Sequence, residues 1–238
     1  INTNIESKYN NKTVDSTSII KDKNYIDISP IFPYTRSYRF DESKRIFSIS
    51  YLRKDEDYYG HRIKLVGHSM GGFASLAVLS IFDDIQKVVA LAPAPSFKKQ
   101  VRALTKIPFV PTLFMGYEKK SMGKYATMTA LDGINKAKHT RILLVQSLDD
   151  PTVPYKISTK YLSENSINPN LSVETVDGVY HQTCFTKESS QNLTAYFKSL
   201  KGKTKEEIIA YRDSVDWTKL YQVDEDTMKK ITDFLDRR

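Results

Sequence analysis

Ser69 is the residue whose setting most favours covalent chemistry. It lies in the motif GHSMG (residues 67–71), between the apolar run 63–66 and the small, apolar stretch 73–82. A serine at a sharp turn from strand to helix exposes its hydroxyl for attack on a carbonyl carbon. The flanking glycines avoid collisions with neighbouring backbone. The N–H of Met70, at the amino end of the helix, is the predicted donor to the oxyanion.

The segment IKLVGHSMGG (residues 63–72) resembles the nucleophile elbow of the α/β-hydrolases. The likeness is strongest to bacterial lysophospholipase, monoacylglycerol-lipase and serine-aminopeptidase-like members, and it extends from about residue 24 to the end of the chain. It implies a mostly parallel sheet flanked by helices, with a helical cap between strands. It also implies acyl transfer by a serine, an acid and a histidine, in that order along the chain, with no cofactor and no metal.

The resemblance implies that the general base is a histidine that follows the serine. Of the four histidines, His61 and His68 precede Ser69, and we expect His68 to point away from the site. His139 precedes the apolar run 141–146, which would put it at the wrong edge of the sheet. His181 follows a predicted strand and a turn, so it is the predicted base.

The predicted acid lies just after the run 141–146, where two aspartates are adjacent. In the family pattern, an aspartate is followed closely by a Val-Pro pair, and Asp150 with the segment 151–154 (PTVP) is similar to it. Asp150 is therefore preferred, and Asp149 remains the alternative. The acid is expected to be buried and to accept a hydrogen bond from Nδ1 of His181, which leaves Nε2 for Ser69.

Short apolar or alternating runs, typical of strands, alternate with helical patterns along the chain. The predicted strands are 24–29, 63–66, 87–92, 141–146 and 171–176. The predicted helices are 41–57, 73–82, 155–165, 187–200, a segment from Thr204 with a capping box to Glu207, and a last helix after Asp224. This order indicates a mostly parallel sheet covered on both faces, with reactive groups at the carboxyl ends of its strands.

We predict a single α/β-hydrolase domain over residues 1–238, with a cap or lid insertion at 93–135 and a helical insertion at 182–222 before the last helix. Apolar residues of the cap either line an acyl pocket or pack as ordinary core, and both interpretations stay open. Residues 1–23 hold neither the earlier strands nor the His-Gly loop that the resemblance implies. An absent amino-terminal part is therefore expected, with a different oxyanion loop as the alternative.

Composition excludes several classes of protein. The net charge is +8, but the cations are scattered and no nucleic-acid motif occurs, so no nucleic-acid partner is expected. No apolar run approaches the ~20 residues that span a bilayer. The single cysteine, Cys184, allows no intrachain disulfide and no cysteine-based zinc cluster. It is interpreted as a passive thiol and favours a cytoplasmic location.

Three functional hypotheses follow. The first is a serine hydrolase of carboxylic esters, of acyl-lipid or monoacylglycerol/lysophospholipid type, whose partners are a small-molecule ester or lipid and, transiently, a membrane surface. The second is an aminopeptidase-like amide hydrolase, which needs an acidic pocket, whereas the cap carries only Glu118 and Asp132. The third is a non-catalytic or incomplete module on the same scaffold. The sequence predicts no oligomeric state.

Overall fold

The computed structural model describes residues 62–105, 109–122 and 126–237, together with Ile49, Arg53 and Gly60. The predicted strand 24–29 and most of the predicted helix 41–57 lie outside the described residues. Within that predicted helix, Ile49 is fully buried and its carbonyl accepts the Arg53 N–H at 3.1 Å, as in an α-helical turn.

A four-stranded parallel sheet forms the centre of the described fold, in the order β1-β2-β3-β4. Its strands are β1 Lys64–His68, β2 Lys87–Leu91, β3 Arg141–Ser147 and β4 Leu171–Val176. The predicted strands in this region are confirmed to within two residues. The apolar runs of β2 and β3 suit strands that are covered on both faces, whereas β4 alternates in sequence and is largely exposed.

Helices connect the strands and follow the sheet. They are α1 Met70–Ala77, α2 Phe97–Thr105, α3 Val110–Met122, α4 Ala130–Lys136, α5 Thr159–Asn165, α6 Lys187–Ser199, α7 Lys205–Asp213, α8 Trp217–Leu220 and α9 Glu225–Asp236. The capping box predicted at Thr204 is confirmed. The Thr204 hydroxyl accepts the Glu207 N–H, and the Glu207 carboxylate accepts the Thr204 N–H. Helix α1 begins earlier than predicted, because Ser69 itself is its N-cap.

Side chains alternate between two cores along the strands, as the two-residue period of a strand requires. On one face the buried strand residues pack with α1, α4 and α5, and on the other face they pack with α9. The first set is Leu65, Val88, Ala90, Ile142 and Leu144. The second set is Val89, Leu91, Leu143 and Val145, with Ile231 and Leu235 from α9. Complete burial of a Val, Leu or Ile side chain stabilises by roughly 1.5–3 kcal/mol, so this double-sided packing holds the sheet edge in place.

Lys87 fastens α9 to the amino end of β2. Its side chain is almost fully buried, and its Nζ donates to the carbonyls of Phe234 at 2.8 Å, Leu235 at 3.0 Å and Arg237. Burial, together with the charges of Arg141 and Lys64, lowers the pKa of Lys87 to about 8. The three acceptors are carbonyls that α9 leaves free at its carboxyl end, so the lysine caps the helix from inside the protein.

Helices α6 to α8 form a separate helical segment, which the chain enters and leaves at adjacent positions. Its two ends meet in an antiparallel bridge between Phe185 and Val223. Inside it, Leu193, Tyr196 and Leu220 form a small core of their own, with Trp217 packed against it. This is the region of the predicted insertion at 182–222. No helix in the described part of the chain is long and apolar enough to cross a membrane.

Gly133 lets α4 lie directly on α1. A Cβ at this position would fall 1.9 Å from the carbonyl oxygen of Leu76, which is backbone and not able to yield. The close approach lets α4 pack into the core on this face of the sheet. The predicted cap insertion at 93–135 included most of this helix.

We predict that Gly133→Ala lowers the free energy of unfolding by about 1–3 kcal/mol, because α1 and α4 must separate. The matched control is Gly116→Ala on α3, where an added Cβ meets nothing within 4 Å. That variant should be unchanged or more stable by up to about 1 kcal/mol, since alanine favours helix. Urea unfolding of the full chain measures both, and equal stabilities would contradict the packing described.

Candidate active site

Ser69 lies in the strained turn that joins β1 to α1. Its backbone has φ 56° and ψ −119°, a left-handed conformation that is costly for a residue with a side chain. The turn is held by the Ser69 N–H, which donates to Leu91 O at 2.7 Å, and by the Ser69 carbonyl, which accepts from the Phe73 N–H at 3.0 Å. A Cβ on residue 67 would lie 2.2 Å from Gly71 O. The steric reason that the sequence suggested for glycine at position 67 is therefore present in the structure.

Met70 is the first residue of α1. The first N–H groups of a helix have no acceptor within it, and they carry the positive end of the helix dipole. The position of Met70 is consistent with the predicted role of its N–H as an oxyanion donor, which stays a prediction. The resemblance implies a second oxyanion donor from a His-Gly loop, which residues 1–23 do not contain. Those residues lie outside the described residues.

The structure brings Asp150 and His181 together. His181 Nδ1 lies 2.7 Å from Asp150 Oδ2, and the Asp150 side chain is completely buried. Asp150 Oδ1 accepts two backbone N–H groups, from Thr152 at 2.8 Å and from Val153 at 2.9 Å. The carboxylate is therefore held by its own loop, which directs its other oxygen at the imidazole. This arrangement selects the tautomer of His181 that leaves Nε2 free to accept a proton.

Asp149, the alternative acid, contacts the histidine loop in another way. Its Oδ1 accepts the Tyr180 N–H at 3.3 Å and a hydrogen bond from the Ser147 hydroxyl. Tyr180 has φ 50°, so the residue directly before His181 is held in a left-handed conformation. Asp149 thus braces the backbone of the loop, whereas Asp150 contacts the ring. No local pattern around Asp149 in the sequence predicts this contact.

The expectation that His68 points away from the site is wrong. Its Nε2 donates to the backbone carbonyl of His181 at 2.7 Å, and the two imidazole rings lie 4.6 Å apart. The ring keeps one side open to solvent, yet burial lowers the pKa of His68 to about 4, and the His181 ring acts in the same direction. The Asp150 carboxylate and the bonded carbonyl act against this shift. His68 is therefore neutral at neutral pH.

Ser69 and His181 lie at the same edge of the sheet, because His68 directly precedes the serine and packs against the histidine ring. Among the described residues no hydrogen bond of the Ser69 hydroxyl is formed. In enzymes without substrate, bonds between nucleophile and base are often long and shorten in the complex. The arrangement places a serine hydroxyl, an imidazole bonded to a buried carboxylate, and a helix amino end at the same edge of the sheet.

The remaining candidates lie elsewhere or are inert. His139 precedes β3 and so occupies the opposite edge of the sheet, as expected. Burial raises the pKa of the Cys184 thiol to about 11, and the Asp224 carboxylate adds to the shift although a Thr183 hydrogen bond opposes it. A thiol of this kind is almost entirely protonated at neutral pH. Across the described ranges, no group of three or more His, Cys, Asp or Glu side chains is placed to hold a metal ion.

Helices α2 and α3 pack against each other above this edge. The buried side chain of Gln100 on α2 donates to Thr152 O at 2.6 Å, which ties the helix pair to the Asp150 loop. Three apolar residues of this region are largely exposed, namely Leu104 on α2, Leu113 on α3 and Phe109 directly before α3. They are therefore not buried as ordinary core.

The sequence profile of the prolyl oligopeptidase family matches residues 41–197, which are 157 of the 238 residues. The chain belongs to this family. The membership agrees with the parallel sheet, the elbow and the flanking helices described above, which are those of the α/β-hydrolase superfamily. The finer likeness to lysophospholipases, monoacylglycerol lipases and serine aminopeptidases stays a prediction. No curated protein matches the sequence.

Solved structures with similar folds include three hydrolases at low sequence identity. The esterase domain of a Rhodothermus marinus protein is 17% identical over 67% of this chain and 69% of that domain, with a TM-score of 0.45. A Pyrococcus furiosus esterase is 20% identical over 69% of this chain and 63% of its own, with a TM-score of 0.45. A Paleococcus ferrophilus monoacylglycerol lipase is 17% identical over 70% of this chain and 77% of its own, with a TM-score of 0.44.

The lowered pKa of His68 predicts a pH dependence of stability. Unfolded, this histidine takes up a proton as the pH falls through 6.5, but folded it does so only near 4. Between these values the unfolded chain binds more protons, so the contribution of His68 to stability is lost as the pH falls from 6.5 to 4.

His68→Gln keeps a donor for the His181 carbonyl but has no group that titrates in this range. We expect wild type to lose stability relative to His68→Gln over this interval, and the difference to be constant above pH 7. Urea unfolding at pH 7.5, 6.5, 5.5 and 4.5 measures it. A difference that does not change with pH would contradict the assignment.

Proposed function

We propose that this protein is a serine hydrolase that cleaves carboxylic esters, of acyl-lipid or monoacylglycerol/lysophospholipid type, through an acyl-enzyme. The observation that carries the proposal is the 2.7 Å bond between His181 and the buried Asp150, at the sheet edge where the strained Ser69 turn also lies. Ser69 is the proposed nucleophile, His181 the base, Asp150 the orienting acid and the Met70 N–H an oxyanion donor.

In the first step, the Ser69 hydroxyl attacks the ester carbonyl carbon while Nε2 of His181 accepts its proton. The carbonyl oxygen becomes an oxyanion, which the Met70 N–H and the amino end of α1 stabilise. Asp150 stabilises the imidazolium that forms, since its carboxylate is buried and close to Nδ1. The imidazolium then returns the proton to the departing alcohol, which leaves Ser69 acylated.

In the second step, water attacks the acyl-enzyme carbonyl with His181 again as base. The tetrahedral intermediate collapses, the carboxylic acid product leaves, and Ser69 recovers its proton from His181. Every proton in this cycle moves through Nε2. The sequence of steps uses only side chains and backbone groups of this chain and a water molecule.

The surroundings of the site favour an uncharged or acyl substrate. Helix α2, whose Gln100 contacts the Asp150 loop, contains no carboxylate. The exposed apolar side chains of Leu104, Phe109 and Leu113 lie on α2, directly before α3 and on α3. Asp132 is engaged at the start of α4, where it accepts a bond from the Thr129 hydroxyl at 2.6 Å. This bond of Asp132 disfavours a role for its carboxylate in binding the ammonium group that an aminopeptidase recognises.

Peptide hydrolysis is the second candidate, and membership of the prolyl oligopeptidase family favours it. The same triad hydrolyses amides, with a stronger demand on His181 to protonate the leaving amine. The two candidates therefore share a mechanism and differ in leaving group and pocket.

The proposed triad predicts a specific pattern of labelling by a fluorophosphonate probe. Wild type should be labelled at Ser69, and Ser69→Ala should abolish labelling. Asp150→Asn should lower the rate of labelling on the order of 10⁴-fold, because an amide no longer selects the tautomer of His181 that accepts the Ser69 proton. Asp149→Asn is the matched control, because its amide oxygen still accepts the Tyr180 N–H, and it should lose far less. Labelling of the alanine variant, or equal losses for the two aspartates, would overturn the assignment.

The substrate class is tested by direct comparison of ester and amide hydrolysis. We expect kcat/KM to be higher for p-nitrophenyl esters of short and medium acyl chains than for p-nitroanilides of alanine and Gly-Pro. Ser69→Ala serves as the blank for both series. A preference for the anilides would favour the peptidase candidate and exclude the proposed ester specificity.

A further inference from the structure

We propose that His68 is a positioning residue, which ties the nucleophile turn to the loop of His181 and holds the base in register with the serine. This inference rests on the proposed function. The residue contacts the backbone carbonyl and the ring of His181, and it acts through that residue.

The hydrogen bond to His181 determines the tautomer of the neutral His68 ring. A carbonyl oxygen only accepts, so Nε2 of His68 carries the proton in its 2.7 Å bond to His181 O, and the neutral ring has no proton on Nδ1. The ring also contacts the His181 ring, with centroids 4.6 Å apart and planes inclined at 51°. His68 therefore contacts both the main chain and the side chain of the proposed base.

The loop of His181 needs external support. It follows Gly178 and Tyr180, both with positive φ, and the conformation of Tyr180 is unfavourable for a non-glycine residue. Asp149 holds the loop at the Tyr180 N–H, Asp150 holds the ring at Nδ1, and His68 holds the carbonyl. Asp149 and Asp150 follow β3, whereas His68 ends β1 and directly precedes Ser69. Of the three, only His68 links the base to the nucleophile segment itself.

The neutrality of His68 matters for the base beside it. When His181 becomes an imidazolium, a second cation at this ring distance would repel the new charge. His181 and Asp150 are the charged or titratable groups that act on the His68 ring. A neutral histidine supplies the donor without changing the charge that Asp150 has to balance.

The experiment compares His68→Leu, which removes the donor, with His68→Gln, which retains an N–H donor. The control is His139→Leu, an exposed histidine before β3 at the opposite edge of the sheet. With p-nitrophenyl butyrate, we expect His68→Leu to lower kcat and the rate of fluorophosphonate labelling about tenfold to a hundredfold, the size expected for a misplaced base. KM and the acid limb of the pH profile should not move, His68→Gln should recover most of the rate, and His139→Leu should match wild type.

A second readout does not need turnover. The Nδ1 proton of His181, shared with Asp150, is followed by proton NMR, and we expect its signal to be retained in wild type and His68→Gln but lost to faster exchange in His68→Leu. If wild type is not labelled at all, the proposed function fails, and this signal still decides the role of His68. Wild-type rates and an unchanged signal in His68→Leu would overturn the inference, as would a loss of rate that His68→Gln does not restore.

Discussion

The contact between residue 67 and the backbone of residue 71 is the constraint on which the rest of the site depends. Only a residue without a side chain allows the chain to turn from β1 into α1 so tightly, because a Cβ would lie 2.2 Å from Gly71 O. The turn places Ser69 at a left-handed φ, and the bond from its N–H to Leu91 O and the packing of α1 hold it there. Strain at the serine is therefore maintained by β2 and the core rather than by the turn alone.

The parallel sheet brings the other parts to this turn. Because β1, β2 and β3 run in the same direction, their carboxyl ends meet at one edge, and Asp149, Asp150 and Ser69 all follow such ends. The His181 loop, which follows β4, is then held by contacts to two of these ends. The geometry of the proposed site thus depends on hydrogen bonds between loops, while the sheet and its two cores supply a rigid edge. A loss of one loop contact is expected to disturb the chemistry more than the fold.

The strands were predictable from sequence because each is an apolar or alternating run of the right length, and the elbow was predictable because its glycines have a steric purpose. The choice between Asp149 and Asp150 was harder. Both are adjacent to the end of β3, and which carboxylate meets the imidazole depends on the path of a bend that local sequence does not specify. Asp150 was preferred only through a family pattern.

The position of His68 was not predictable from local sequence. Its place inside the elbow motif suggested that it points away from the site. The motif does not say that a loop 113 residues later folds over the same place and offers a carbonyl to the ring. Contacts between distant segments thus account for most of what the sequence did not reveal.

The bridge between Phe185 and Val223 has a consequence for how this fold can diversify. Because the two ends of this segment are adjacent, a change in its length need not move the residues on either side of the bridge. The free-energy cost of closing a loop also grows only slowly with the length of the loop. Since Leu193, Tyr196 and Leu220 pack mainly with one another, relatives are free to shorten, lengthen or replace α6 to α8 while keeping His181 on one side of the bridge and α9 on the other. Changes within α6 to α8 are therefore expected to leave the proposed site at the sheet edge unaltered.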